Sequence, residues 1–560
     1  MLTFGGRLLS RIKIKAVVSG EPFPLDQEGT CMPSKKAGRW ITGFGALLLL
    51  SAAGCSSLPE TPGSESSYRE NRAMFISGYG NIESVYIDPV DIGVLATAGL
   101  ARLSTIDPKL SVERRDATVV LLSEGRPRAV FDAPKNNDAA GWGILTADLL
   151  AAARSFSEPL RAASDEDLYE AVFGGVVANL DGVSRYATAR EAFENRVSRE
   201  GFGGIGVRIA VEGGMVRIVS VMHYTPAERV GLRADDLISH IDGRPVKGLD
   251  QSTIVNLLRG PVGSRVALQL VREGENGPRL LAVTRAHIVP ETVVYRREGN
   301  VAYLRIYSFN LETAQSLRKE LMRAEADGDS PPKGYILDLR GNPGGLLDQA
   351  VAVADLFLKQ GRIVSTHGRH PDSHQYFEAS GADYGNGRPI VILINGNSAS
   401  AAEIVAAALQ DSGRAVVIGS NSYGKGTVQT VLRMPNQGEL TLTWARFHAP
   451  SGYMLHHLGV LPSICTNANG MDAPHLIGAL RDGELVPVPT VLRNTVGPDD
   501  EAHLKRLRAV CPLQKAEEEV DLKVALMLLE DPALYERALR LADPRAMTVS
   551  TQPALSQVLP

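Results

Sequence analysis

Residues 391–429 read VILINGNSASAAEIVAAALQDSGRAVVIGSNSYGKGTVQ, and the order of chemistry in this stretch decides the fold. A short apolar run, 391–394, has the length and bounding turn residues of a buried strand, and Asn395-Gly396-Asn397 is turn chemistry. A helical pattern starts at Ser400 and ends near Ser412 and Gly413. A second apolar strand, 415–418, runs into Tyr423-Gly424-Lys425-Gly426. A serine therefore sits at a strand–turn–helix junction, and a lysine follows the next strand. Strands alternating with helices continue on both sides: a strand at 301–306, a helix at 312–326, a strand at 334–339, a helix at 347–358 and an alternating strand at 440–447. This alternation predicts a layered α/β core.

The chain has 560 residues, 44% of them hydrophobic and 22% charged, which is the composition of a globular, multidomain protein. A net charge of −4 gives no basic face for nucleic acid. No window reaches the run of about 18 apolar residues that a spanning helix needs. Near the N-terminus, Lys35, Lys36 and Arg39 precede an apolar stretch, 40–50, that ends in Ser51-Ala52-Ala53-Gly54-Cys55. This resembles the lipobox of a bacterial lipoprotein signal, with Cys55 as the lipidated residue; an ordinary cleaved signal peptide is the alternative. Residues 1–31 fit no signal pattern, and Met32 is the better start. Residues 56–72 are polar, with Pro, Gly and Ser, and read as a flexible tether. Cys465 and Cys511 remain in the folded part; in an oxidising compartment they can pair, and the sequence leaves that open.

Residues 201–288 form a second pattern. Gly201-Phe202-Gly203-Gly204-Ile205-Gly206-Val207 opens a strand, 215–222 is another, and 226–232 is a short helix. Asp235-Asp236-Leu237-Ile238-Ser239-His240-Ile241-Asp242-Gly243 is a strand into a tight turn, followed by a helix at 251–258 and a strand at 265–272. This order resembles a PDZ domain. The resemblance implies that Gly203, Gly204, Ile205 and Gly206 receive a peptide's C-terminal carboxylate. The peptide would add as a strand beside 205–209, with an apolar last side chain facing the 251–258 helix.

Ser400 and Lys425 are the residues whose setting suits chemistry. A serine hydroxyl needs a neighbouring base, and lysine serves as one only when its amine is neutral. A helix N-terminus favours negative charge developing on oxygen. Ser400-Ala401-Ala402-Glu403 reads equally as a capping box. Lys425 reads equally as a solvated loop lysine, although not as a phosphate-loop lysine, because no G-x-x-x-x-G-K-[ST] is present. His367, His370 and His374 lack the spacing and carboxylates of a metal centre and read as solvated, so no metal is expected. No G-x-S-x-G elbow occurs.

DLRGNPGG at 338–345, NGNSASAAEIVAAALQD at 395–411, YGKGTVQT at 423–430 and LTWARFHAPSGYMLHHLGVLP at 442–462 together resemble the C-terminal processing peptidases, or tail-specific proteases. The likeness runs over residues 86–463 and includes VYIDPVD at 85–91 and NLDGVSRY at 179–186. It implies Ser400 as nucleophile, Lys425 as general base, Gln429 orienting the lysine, and the N–H groups of Gly345 and Ala401 as the oxyanion hole. On an extended strand Lys425, Thr427 and Gln429 share a face. Ala402 and Ser463 depart from the family pattern, as do residues 464–515.

The expected organisation is a targeting segment (1–55), the tether (56–72), a mostly helical region (73–195), a PDZ domain (196–289), an α/β serine peptidase core (290–465), and a C-terminal region with a helical tail (466–560). The expected function is a lipid-anchored, periplasm-facing endopeptidase without cofactor, its outer-membrane placement favoured by Ser56. It would act on proteins with apolar C-termini, and an activating adaptor protein is among the partners the resemblance allows. The competing reading is a non-catalytic PDZ scaffold that binds C-terminal tails.

Overall fold

The computed structural model describes residues 65–328, 330–467, 472–485, 493, 497, 500–516 and 519–541. Cys55, the targeting segment and residues 56–64 lie outside the described residues. The tether is corrected at its far end: residues 65–72 belong to a helix, α1 (Glu65–Val85), whose buried face carries Asn71, Met74, Phe75, Tyr79 and Ile82. Spacings of three and four between apolar residues give that helix an inward stripe despite its polar start.

The region before the PDZ domain is helical, with one correction. Helices α2 (Ile92–Ala101), α3 (Ala139–Phe156), α4 (Glu158–Ala162), α5 (Asp165–Val177) and α6 (Ala189–Glu200) are accompanied by an antiparallel meander of β1 (Leu110–Arg115), β2 (Thr118–Ser123) and β3 (Arg126–Asp132). Ser164 caps α5 through a reciprocal capping box with Asp167. Between α5 and α6, β4 (Arg185–Ala187) leaves this region and pairs with residues 439–441 of a strand further along the chain.

The PDZ domain is a sheet in the order β11-β10-β8-β7-β6, with β9 beside β8. Its strands are β6 (Val207–Glu212), β7 (Met215–Val221), β8 (Leu237–Ile241), β9 (Arg244–Pro245), β10 (Arg265–Val271) and β11 (Arg279–Thr284), with helices α7 (Pro226–Arg229) and α8 (Gln251–Leu258). The chain enters through β5 (Phe202–Gly204) and leaves through β12 (Ala286–Ile288), which pair antiparallel, Phe202 opposite Ile288 and Gly204 opposite Ala286. The domain thus hangs on a two-stranded neck.

The core sheet has the order β13-β14-β15-β18-β19-β22. Strand β13 (Val293–Glu298) is antiparallel to β14 (Val301–Ile306); from β14 onward, β15 (Gly334–Asp338), β18 (Ile390–Ile394), β19 (Val416–Gly419) and β22 (Ile464–Cys465) run parallel. Strand alternation divides the side chains between two faces. Leu304, Leu337, Ile392 and Val417 meet helices α9 (Thr313–Ala326), α10 (Leu347–Asp355) and α11 (Ala401–Asp411). Tyr303, Ile336, Val391, Leu393 and Ile418 meet the C-terminal helices α12 (Ala473–Asp482), α14 (Glu519–Glu530) and α15 (Pro532–Arg540). A sheet covered on both faces needs strands apolar throughout, which is why 391–394 is an unbroken apolar run. Helix α13 (Glu501–Ala509) lies between α12 and α14 in the chain.

A second sheet, ordered β17-β16-β21-β20, contains β16 (Arg362–His367), β17 (Gln375–Glu378) and the hairpin of β20 (Thr427–Arg433) and β21 (Glu439–His448); β4 adds to β21. Met434, Leu440 and Leu442 of this hairpin complete the core of the N-terminal helices.

Candidate active site

Three loops leave the carboxyl ends of neighbouring parallel strands: 339–346 after β15, 395–400 after β18 and 420–426 after β19. Loops at that edge of an open α/β sheet converge on one crevice, the usual place for a site in such folds. Backbone and amide hydrogen bonds fix the first loop against the second. Asn395 Oδ1 accepts from Gly341 N–H at 2.9 Å, the Asn342 carbonyl accepts from Ala399 N–H at 2.9 Å, and Ser398 Oγ donates to the Leu339 carbonyl at 2.8 Å. Asn342 also donates to the Ile306 carbonyl at 2.7 Å and receives Gly344 N–H at 2.8 Å.

Ser400 precedes α11 with φ +55° and ψ −113°, a left-handed region that a residue with a side chain enters only when its surroundings hold it there. Gly344 lies against it: a Cβ on Gly344 would meet Ser400 Cβ at 2.8 Å and Ala401 N at 3.0 Å. Gly345, at φ +148°, is held beside Phe309, whose carbonyl blocks the space that a side chain at 345 would need. The N–H groups of Gly345 and Ala401 have no partner among the described residues; Ala401 follows Ser400 in the chain, and Gly345 follows the Gly344 that packs against it.

Glu403, one turn into α11, is fully buried. Its carboxylate accepts the Ser400 N–H at 2.7 Å, the Ser422 hydroxyl at 2.5 Å, the Gly424 N–H at 2.6 Å and the Lys425 N–H at 2.9 Å. Burial pushes the Glu403 carboxyl above its ordinary pKa, against the opposing pull of these four donors. Within the described residues, Ser400 and Lys425 are joined through Glu403, backbone to carboxylate, and not by a direct Oγ–Nζ hydrogen bond.

The Lys425 side chain borders a pocket of about 590 Å³, together with Asp181, Thr427, Thr443, His457 and Arg508 among others. Burial lowers its pKa first and the Arg185 charge second, while Glu403 and Asp181 pull the other way. Asp181 and Arg185 come from the NLDGVSRY segment, carried here by the pairing of β4 with β21. Gln429 lies on β20 beyond a bulge between Val428 and Gln429. Its amide donates to Thr427 Oγ1 at 2.8 Å and Thr443 Oγ1 at 3.4 Å. The shared face expected for Lys425, Thr427 and Gln429 is corrected: β20 starts at Thr427, and Lys425 belongs to the loop before it.

In the PDZ domain, Gly204, Ile205, Gly206, Val207 and Ile209 line a groove of about 360 Å³ against Gln251, Val255, Leu258 and Arg259 of the helix side. Strand β6 is the sheet edge and leaves its outer side free for another strand. Gly203, expected at this site, pairs with His287 in the neck ladder, and its carbonyl accepts the Gly260 N–H.

His367 and His374 approach at 3.2 Å between Nδ1 atoms, with His448 beside His367, while His370 stands apart near Trp444. Among the described residues, no group of three or more His, Cys, Asp or Glu side chains is arranged to hold a metal. Cys465 and Cys511 are joined in a disulfide. The residues that sequence reasoning passed over are Glu403 as a junction, Ser422, Asp181 and Arg185. For Glu403 the signal was present, since the capping box placed its carboxylate at Ser400.

Peptidase family S41 matches residues 300–466, and the PDZ domain family matches 203–278. A carboxy-terminal-processing protease of Bartonella bacilliformis is 41% identical over 302 residues, which is 54% of this chain and 70% of that protein. The carboxy-terminal processing protease CtpA of Bacillus subtilis is 34% identical over 312 residues, 55% of this chain and 66% of that protein. Among solved structures, a photosystem II D1 C-terminal processing protease is 23% identical with a TM-score of 0.37, covering 70% of this chain and 92% of its own.

Proposed function

The chain belongs to peptidase family S41 as a serine-type, C-terminal-processing peptidase with a PDZ domain, and on that premise we propose that Ser400 and Lys425 are its catalytic dyad. The observation that carries this reading is the Glu403 junction, which ties the backbones of both residues to one buried carboxylate.

Lys425, kept toward its neutral form by burial and by Arg185, takes the Ser400 proton as Oγ attacks the peptide carbonyl. The N–H groups of Gly345 and Ala401 receive the oxyanion; the Ser400 N–H is already engaged by Glu403 and takes no part. The lysine ammonium then protonates the leaving amine, and a water, deprotonated by the same lysine, hydrolyses the acyl-enzyme. Gln429 orients the lysine indirectly, through the Thr427 and Thr443 hydroxyls that border the same pocket. The edge of β6 and the groove facing α8 take the substrate's extended C-terminus, with an apolar last residue against Val255 and Leu258.

The Cys465–Cys511 disulfide supports an oxidising compartment, in line with lipidation at Cys55 and a periplasm-facing enzyme held at a membrane, the outer one favoured by Ser56. An adaptor that activates the enzyme belongs to the same reading.

The test is cleavage of an unstructured protein ending in apolar residues by wild type and Ser400→Ala. Turnover by wild type alone supports the dyad; equal cleavage by both removes Ser400 as nucleophile, and cleavage by neither with tail binding intact leaves a PDZ scaffold. Mass spectrometry of the membrane fraction tests the anchor, which requires a mature chain starting at lipidated Cys55.

A further inference from the structure

Arg508 lies in the last turn of α13, beyond the stretch matched by family S41. Its Nη1 donates to the carbonyls of His457 at 3.0 Å and Leu458 at 2.9 Å, and Nη2 donates to the Ser422 carbonyl at 3.2 Å. These groups border loop 421–426, which forms no strand or helix of its own. The loop is gripped on its inner side by Glu403, through Ser422, Gly424 and Lys425, and on its outer side by Arg508. Gly424 lies so close that a Cβ there would stand 3.0 Å from Arg508 Nη1, and its carbonyl accepts the His457 N–H at 2.9 Å. One guanidinium reaches three carbonyls because its donors form a planar fork.

Helix α13 is itself fixed at two places. Leu504 and Leu507 insert into the core on the α11 side of the sheet. Three residues after Arg508, Cys511 is bonded to Cys465, the residue of β22 that pairs with Gly419 just before the loop. The staple therefore connects the outer grip to β22, the strand paired with the β19 end from which the loop departs.

Resting on the peptidase reading above, we propose that Arg508 is a positioning residue for the Lys425 loop, kept in register by the Cys465–Cys511 disulfide, so that turnover depends on that disulfide being oxidised. Dithiothreitol would supply two electrons and two protons, break the S–S bond to two thiols and end as its own cyclic disulfide. Arg508 would then keep its charge while its helix loses one of its two anchors.

The experiment compares wild type, Arg508→Ala, Arg508→Lys and the Cys465→Ser/Cys511→Ser double variant on a short fluorogenic peptide. The expected result for Arg508→Ala is a fall in kcat of roughly 10- to 100-fold with KM nearly unchanged, since the loss is one of alignment. Millimolar guanidinium should restore part of that loss, and Arg508→Lys should fall between. Dithiothreitol should lower wild-type kcat to the level of the double variant and lower Arg508→Ala no further. Wild-type kcat in Arg508→Ala, or an equal fold-loss on reduction with and without Arg508, overturns the proposal. Hydrogen exchange at the Gly424 and Lys425 amides gives a readout that needs no turnover. Faster exchange in Arg508→Ala is expected, and unchanged exchange overturns the positioning role. Faster exchange in a protein whose wild type cleaves nothing counts against the dyad alone. If Arg508→Ala does not fold, Arg508→Lys and reduced wild type carry the same readouts.

Discussion

The Ser400 N–H donates to the Glu403 carboxylate at 2.7 Å, so the backbone of the proposed nucleophile is anchored by a group three residues further along the chain. The same carboxylate takes the Lys425 N–H, and it has no cation as partner in these contacts, only dipoles. Glu403→Gln keeps the volume but turns an NH2 toward donors that need an acceptor. We expect at least a roughly 100-fold fall in kcat for Glu403→Gln, from misalignment alone. Glu403→Ala leaves several buried donors unpaired at about 1–3 kcal/mol each, so its unfolding free energy should drop by several kcal/mol. Urea titration beside steady-state kinetics separates the two effects.

With Lys425 as the proposed base, the pH profile follows from its titration. Base catalysis needs the neutral amine, so kcat/KM rises with pH as Lys425 loses its proton, and burial with Arg185 brings that rise below the ordinary lysine range. Arg185→Ala removes a charge that disfavours the ammonium, so the rising limb moves to higher pH. Asp181→Asn removes a charge that favours it, so the limb moves lower. A limb unmoved by either variant rules out Lys425 as the titrating base. The stability sign is fixed too: between the lowered folded pKa and the ordinary value the unfolded chain binds more protons, so this group's contribution to stability rises with pH there.

Gly345→Ala tests the oxyanion site. The residue stands at φ +148°, and a methyl group would meet the Phe309 carbonyl, so the loop must shift to accept it. Strain of this kind costs about 1–3 kcal/mol. Displacing one oxyanion donor costs roughly 100- to 1000-fold in kcat. Kinetics should show the second loss in protein that still binds a C-terminal peptide, measured by fluorescence anisotropy.

Arg340, at the base of the same loop, pairs with Asp338 at 2.7 Å and with Asp521 of α14 at 3.1 Å, all three buried. Asp521 also receives the Thr466 hydroxyl. Asp521→Asn should lower the unfolding free energy by on the order of 3–5 kcal/mol, because it removes a buried charge that partners Arg340. Equilibrium unfolding in urea measures it, and an unchanged midpoint would show the C-terminal helices to be dispensable to the loop.

Much of this architecture could be read from local patterns. The unbroken apolar runs of β18 and β19, the strand expected at 334–339 and the turns that follow them gave away the sheet. The meander β1–β3 escaped notice because its turns are only two residues long, Asp116-Ala117 and Glu124-Gly125, within a region dominated by helical spacing. At the site, Ser400, Lys425 and Gly345 stand out through neighbouring glycines and small residues. Glu403 was visible as a local cap, but its bonds to Ser422, Gly424 and Lys425 span 19 to 22 residues, which no helical or strand period reports. Arg508 and Asp521 lie further still from the loops they brace, in a stretch whose sequence offers only an irregular helical pattern.

The two-stranded neck at the PDZ domain has a consequence for how such a chain can be remade. Because Phe202 faces Ile288 across one ladder, the peptide reader begins and ends at adjacent points, and the catalytic half receives it as a cassette. Adjacent termini make a tolerant splice site. A recombination event, or an engineer, could exchange the reader between Gly204 and Ala286 without repositioning Glu403 or the loops it holds. Selection for new cargo can then act on one module while the chemistry of the other stays as it is.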